Sequence, residues 1–234
     1  MTAAQPPGAL PWRLIVFDCD GTLVDSQHVI IAGMNAAFEA EDLPRPEAES
    51  VRRVVGLSLE EAIARLVPEP RRSQQTVKAV ADHYRAGFGK ADAAAHRVAP
   101  LYPGARRALS DLDQREVLLG IATGKGRRGL KATLETHGLE SLFVTLQTAD
   151  LAPSKPHPEM LRRAMAEVGA EPEETLLVGD TVFDIEMAVN ARVGGIGVSW
   201  GYHPAEELAA AGALTVVETF AELLPALESL GARA

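Results

Sequence analysis

The 234-residue sequence predicts an α/β fold: a doubly wound parallel sheet with a small all-helical module inserted after the first strand. Three observations carry this. Short, wholly apolar runs alternate with helical stretches, the pattern of strands covered by helices on both faces. These runs tend to end in polar residues and glycine. The segment from about Ser26 to Ala99 breaks the rhythm, with helical patterns and no convincing strand.

The chain opens on MTAAQPPGALP, which lacks a basic flank and an apolar run and reads as a flexible lead-in, not a signal peptide. Arg13–Asp18 is the first strand. A helical pattern follows over His28–Glu41, then a break at Pro44–Pro46. The next helix starts at Ser58, which with Glu61 has capping-box spacing. A polar helix covers roughly Arg72 to Lys90, and an Ala-rich stretch ends at Pro100. Val98–Gly104 then returns the chain to the sheet. Further strands are expected at Val117–Thr123, Leu142–Gln147, Thr175–Asp180 and Gly195–Trp200, with Leu214–Val217 at an edge. Helices are expected at Ala105–Leu112, Arg127–His137, Pro158–Val168, Val182–Ala191 and Glu206–Ala211. Ala221–Leu230 is the last helix, with Thr219 and Glu222 as its capping box. The domains read as a core of residues 1–25 and 97–234 and a helical cap of residues 26–96.

Composition narrows the function. Lysine and arginine number 23 against 32 aspartate and glutamate, a formal net charge of −9. This argues against nucleic acid and against an anionic membrane surface, both of which need clustered cations. It leaves room for a small phosphorylated metabolite at a locally positive site. No apolar run approaches membrane-spanning length. Cys19 is the lone cysteine, which suits a reducing compartment, and the expected setting is the cytoplasm.

Ligands of open parallel sheets bind beyond the carboxyl ends of the strands. The first strand delivers Asp18, Cys19, Asp20, Gly21 and Thr22 there; the second delivers Thr123, Gly124 and Lys125. Ser154, Lys155 and Pro156 follow the third, and Asp180, Thr181 and Asp184 follow the fourth. Side chains alternate along a strand, so Asp18 and Asp20 point one way and Cys19 the other, into the core. Two such carboxylates repel unless a cation lies between them or one is protonated. An oxygen-liganded metal such as Mg²⁺ resolves the conflict, and Asp180 is placed to complete its shell. Polar strand-to-turn transitions also favour Asp and Gly, but acids and a lysine at other strand ends favour the site. Thr123 and the amides after it form a ready anion site, and Thr is also an ordinary helix cap. A loop lysine is ordinarily a solvated charge; Lys155 is singled out because the carboxylates and an incoming phosphate need a balancing cation. Asp184 pairs with Thr181 at cap spacing and is placed behind the metal or Lys155. His28 is placed on the first helix of the cap, where it could face the site. Residues 124–129 match the short dinucleotide fingerprint, but after the wrong strand and with no well-placed acid for a ribose.

DCDGTLVDS, ATGK, SKPHPEM and GDTVFDI resemble, in order and spacing, the four motifs of the haloacid dehalogenase superfamily. The insertion resembles its C1-type cap, and SWGYH resembles the phosphoglycolate-phosphatase-like branch. The resemblance implies a Rossmann-like core in which Asp18 is the nucleophile and Asp20 the general acid and base. It implies Mg²⁺ held by Asp18, the Asp20 carbonyl and Asp180, with Thr123, the Gly124 amide and Lys155 on the phosphate. Asn190-Ala191-Arg192-Val193 departs from the Ala-Gly pair expected there. The implied reaction is hydrolysis of a small phosphomonoester, with 2-phosphoglycolate the leading substrate. Arg52, Arg53 and the Gly56–Ser58 loop are candidates for reading that substrate. A sugar phosphomutase or a pyrophosphatase on the same core is the alternative. A 2-haloacid dehalogenase is disfavoured because Asp20 has no role in it, and a non-catalytic phosphate-binding module because the set of charged groups is complete. Oligomeric state is not readable from the chain.

Overall fold

The computed structural model describes residues 10–87 and 99–231. The expected lead-in, the end of the Arg72–Lys90 helix, most of the Ala-rich stretch and the 96/97 domain boundary lie outside the described residues.

Six strands form one parallel sheet: β1 Leu14–Phe17, β2 Leu118–Thr123, β3 Phe143–Thr148, β4 Thr175–Gly179, β5 Gly194–Val198 and β6 Thr215–Val217. Their order is β3-β2-β1-β4-β5-β6. The chain winds outward from β1 to β3, then starts again at β4 on the other side of β1. Such a reversal opens a crevice at the carboxyl ends of the two central strands. Phe17 is level with Ile121 of β2 and Val178 of β4, so Asp18 emerges between its neighbours at that rim.

Ten α-helices are found among the described residues. In the segment after β1 lie α1 (Gln27–Glu39), α2 (Ala48–Arg52), α3 (Leu59–Leu66) and α4 (Gln74–Gly87). In the core lie α5 (Ala105–Asp113), α6 (Arg127–His137), α7 (Glu159–Val168), α8 (Val182–Ala191), α9 (Ala205–Ala210) and α10 (Phe220–Gly231). The five-residue α2 was not expected: five residues cannot display a helical period. It packs Val51 inward.

The strands are buried on both faces, which is why they read as continuous apolar runs. Ile15, Phe17 and Cys19 belong to one core cluster with Leu109, Leu130 and Leu223. Leu14 and Val16 face the other way, onto Met160, Leu161 and Met187. The alternation that sends Cys19 into the first cluster turns Asp18 away from it. The segment after β1 has its own cluster, including Met34, Phe38, Ile63 and Val80. Val54, Leu57 and Ala62 pack it against Phe183 of the core, and polar contacts add to this. Arg53 makes a paired ion bridge to Glu207 on α9, at 2.8 and 3.0 Å. The Ser58 amide donates to Ser154 Oγ at 2.8 Å. The Ser58 side chain does not cap α3, whereas the expected Thr181–Asp184 capping box at α8 is present. The departure from an Ala-Gly pair falls at Arg192, which takes the left-handed conformation that ends α8, with φ 63°.

Candidate active site

Asp18 and Lys155 form the centre of the rim. Lys155 Nζ, wholly buried, donates to Asp18 Oδ1 at 2.7 Å and to Asp184 Oδ1 at 2.6 Å. Lys155 precedes a cis proline in the loop after β3. Asp184 is held in turn by Thr181, whose amide and hydroxyl both donate to its Oδ2, at 3.0 and 2.7 Å. Its place at N3 of the capping box and its contact with Lys155 are thus one arrangement.

Asp180 is fastened from two sides. Thr22 Oγ1 donates to its Oδ1 at 2.8 Å, and the Tyr202 amide donates to its Oδ2 at 2.9 Å. Tyr202 reaches Ser26 through its hydroxyl at 3.2 Å. Gly21 has φ 91°, and an added Cβ would lie 2.3 Å from Asp180 Oδ2. Only glycine allows the loop after β1 to pass so close.

Asp18, Asp180 and Asp184 each offer an oxygen within 4.8 Å of the others. Asp20 stands apart: its Oδ2 pairs with Lys125 Nζ at 3.0 Å. In the sequence Lys125 is one of several polar residues after β2; its partner is visible only once β2 lies beside β1. Four carboxylates face two ammonium groups, an excess of two negative charges if all ionise. Burial pushes Asp18 up to about 7, with Lys155 opposing the shift and Asp184 adding to it. Burial also drives Asp180 well above the ordinary carboxylate range, helped by Asp18 and Asp184. Asp18 Oδ2 and Asp20 Oδ1 are buried and accept no hydrogen bond. The donor set is all oxygen, carries surplus negative charge and keeps an unshared buried atom. It fits a hard divalent cation.

A cavity of about 790 Å³ lies against this rim. Asp18, Asp20, Thr123, Gly124 and Lys125 line it, while Lys155, Asp180 and Asp184 stand behind the lining. The Thr123 hydroxyl accepts from the Lys125 amide at 3.2 Å. At α6 the Arg127 amide is already engaged by Asp150, at 3.2 and 3.1 Å, which further weakens the dinucleotide reading of this turn. Of the residues considered for substrate reading, Gly56 and Leu57 line the cavity. Arg52 and Arg53 do not; they pair with Glu49 and Glu207 respectively. His28 is exposed and away from the lining, because the inward face of α1 is taken by Ile30 and Met34. His203 emerges as a further member: its Nδ1 accepts from the Val182 amide at 3.1 Å. Burial, then nearby Arg53, lowers its pKa, so the ring stays neutral and able to accept.

The family description "Haloacid dehalogenase-like hydrolase" matches residues 15–198, which span five of the six strands and the whole rim. The chain belongs to this family. Among its relatives, "Probable phosphatase IndB" of Dickeya dadantii is 35% identical over 93% of this chain and 94% of that protein. A Pasteurella multocida protein named phosphoglycolate phosphatase is 31% identical, over 93% and 99%. A Pseudomonas syringae hydrolase of known structure superposes with a TM-score of 0.82, at 26% identity over 93% and 98%. Within the family the chain stands among the phosphoric monoester hydrolases. No described helix is long and apolar enough to cross a membrane.

Proposed function

We propose that the chain hydrolyses small phosphomonoesters with Mg²⁺, through transient phosphorylation of Asp18. The observation that carries this reading is the state of Asp18. One oxygen is fixed by Lys155, and the other is buried and unshared in a residue that lines the cavity. The carboxylate is thus oriented but not consumed, as a nucleophile must be.

Asp18 attacks phosphorus; the new O–P bond forms as the bond to the ester oxygen breaks. Asp20, on the same rim, gives its proton to the departing alkoxide. It then takes a proton from the water that attacks the aspartyl-phosphate, which releases phosphate and restores Asp18. Lys125 beside Asp20 holds that carboxyl in place. The Thr123 hydroxyl and the Gly124 amide hold phosphate oxygens, and Lys155 balances charge on Asp18 and the phosphate. Asp18, Asp180 and the main-chain carbonyl of Asp20 would hold Mg²⁺, which supplies neutralisation between carboxylate and phosphate. Asp184 acts through Lys155. The inserted segment, expected over residues 26–96, would cover the site and exclude water. A cytoplasmic setting accords with the single, buried thiol of Cys19.

The test is phosphate release from a panel of phosphomonoesters, with 2-phosphoglycolate included on the strength of the relatives' names. Release that needs Mg²⁺ and is lost in Asp18→Asn is expected. Near-normal turnover in Asp18→Asn excludes the covalent route, because an amide oxygen cannot replace the carboxylate as nucleophile. Isomerisation of a sugar phosphate without net phosphate release would mark a mutase.

A further inference from the structure

We propose that the cavity seats the alcohol part of the substrate, and that this part is an uncharged, ring-sized apolar group, not a two-carbon carboxylate. The proposal rests on the phosphatase reading and names the substrate class for it.

Size is the first argument. At about 790 Å³ the space lies in the range, roughly 300–1,000 Å³, that holds drug-sized molecules. A two-carbon acid would leave most of it to water.

Chemistry of the walls is the second. The lining includes Val24, Val29, Ile30, Val54, Leu57 and Leu59. Water against such walls is released when an apolar group replaces it.

Charge is the third. A substrate carboxylate needs a partner, and among the described residues two of the three lysine and arginine side chains on the lining are committed. Lys125 is paired with Asp20. Arg85 is paired with Glu60 and lies 3.6 Å from Asp82. Arg128 has no acidic partner among the described residues, but it is solvent-exposed, where an ion pair gains little. Glu60 and Asp150 also line the space and would repel a second anion. Among the described residues a carboxylate there would lose water without gaining a buried partner.

Three alkyl esters with similar alkoxide leaving groups isolate the pocket: ethyl phosphate, 2-phosphoglycolate and 2-phenylethyl phosphate, with phosphate release measured under Mg²⁺. Aryl esters are avoided because they leave readily whatever the pocket. The expected result is a kcat/KM for 2-phenylethyl phosphate at least tenfold above the other two, as burial of a ring provides. Equal or better turnover of 2-phosphoglycolate overturns the proposal and leaves the phosphatase reading intact. No release from any ester overturns both. A charge variant gives a second measurement. Val29 is half-buried on α1 and lines the cavity. Val29→Lys adds a cation to the wall at a helical position that favours Lys over Val. It should lower the preference for 2-phenylethyl phosphate over 2-phosphoglycolate at least tenfold; an unchanged preference counts against the proposal. The comparison among wild-type substrates stands whether or not that variant folds.

Discussion

Replacing Lys155 with methionine keeps the length of the side chain and removes the one charge that touches both Asp18 and Asp184. Both carboxylates are almost wholly buried. Removing one partner from a buried ion pair costs about 3–5 kcal/mol, because the remaining charge is left uncompensated. The cost must depend on pH. Asp18 titrates near 7 with the lysine present, and Lys155 is the largest influence holding that value down. Without it, Asp18 stays protonated to higher pH, and each unit of that shift is worth about 1.4 kcal/mol. At pH 5 the carboxyl is largely protonated in either protein and the penalty shrinks; at pH 8 it approaches its full size. Urea unfolding in chelator, followed by fluorescence of Trp12 and Trp200, reads this directly. A urea slope near 3 kcal/mol/M turns the cost into a midpoint shift of roughly 1–2 M at pH 8. A shift below about 0.3 M, or one equal at pH 5 and pH 8, would refute the argument that Lys155 balances buried negative charge.

Three further outcomes are expected. The metal-free protein should lose stability as pH rises from about 4 to about 7. The folded pKa of Asp18 is raised from 3.8 to about 7 and that of Asp180 is raised too, so the folded state binds more protons in that window. Melting in chelator across this range checks the sign, and Mg²⁺ should restore about 2.7 kcal/mol at a hundredfold excess over its Kd; stability that rises with pH in chelator would contradict it. Gly124→Ala should lower both activity and melting temperature, at a cost of about 1–3 kcal/mol. Its Cβ would sit 2.3 Å from the Leu57 carbonyl oxygen and 2.6 Å from that of Gly56, forcing the cap loop off the rim; wild-type melting and kinetics would show that the loop yields freely. Arg192→Gly should stabilise by about 1 kcal/mol, since glycine takes the left-handed φ of 63° without penalty. A melting temperature raised by about 2–4 °C is the expected reading.

Much of the fold was legible because its signals are local. Runs such as Thr175–Gly179 are apolar throughout since both faces of the sheet are covered. The α8 start was visible as Thr181 and Asp184 three residues apart, and the same spacing forms the cap in three dimensions. Ser58 and Glu61 have that spacing too, yet the Ser58 side chain makes no cap bond, and its amide donates to Ser154 on the core instead of to Glu61. Short α2 carried no period to read. Arg52 and Arg53 stand out in the sequence as cap cations, but Glu49 and Glu207 take them.

The order of strands and helices, the inward turn of Cys19 and the gathering of acids at the strand ends follow from the chain alone. Each depends on backbone period and nearest neighbours, which a sequence displays directly. The tertiary structure decided which charges meet. Strand β1 lies between β2 and β4, and only that arrangement brings Lys125 onto Asp20, Lys155 onto Asp18, and Thr22 onto Asp180, 158 positions away. Pairings across such separations are set by packing of the whole sheet, so neither the surplus charge at the rim nor the apolar walls of the cavity has a counterpart in any single stretch of sequence.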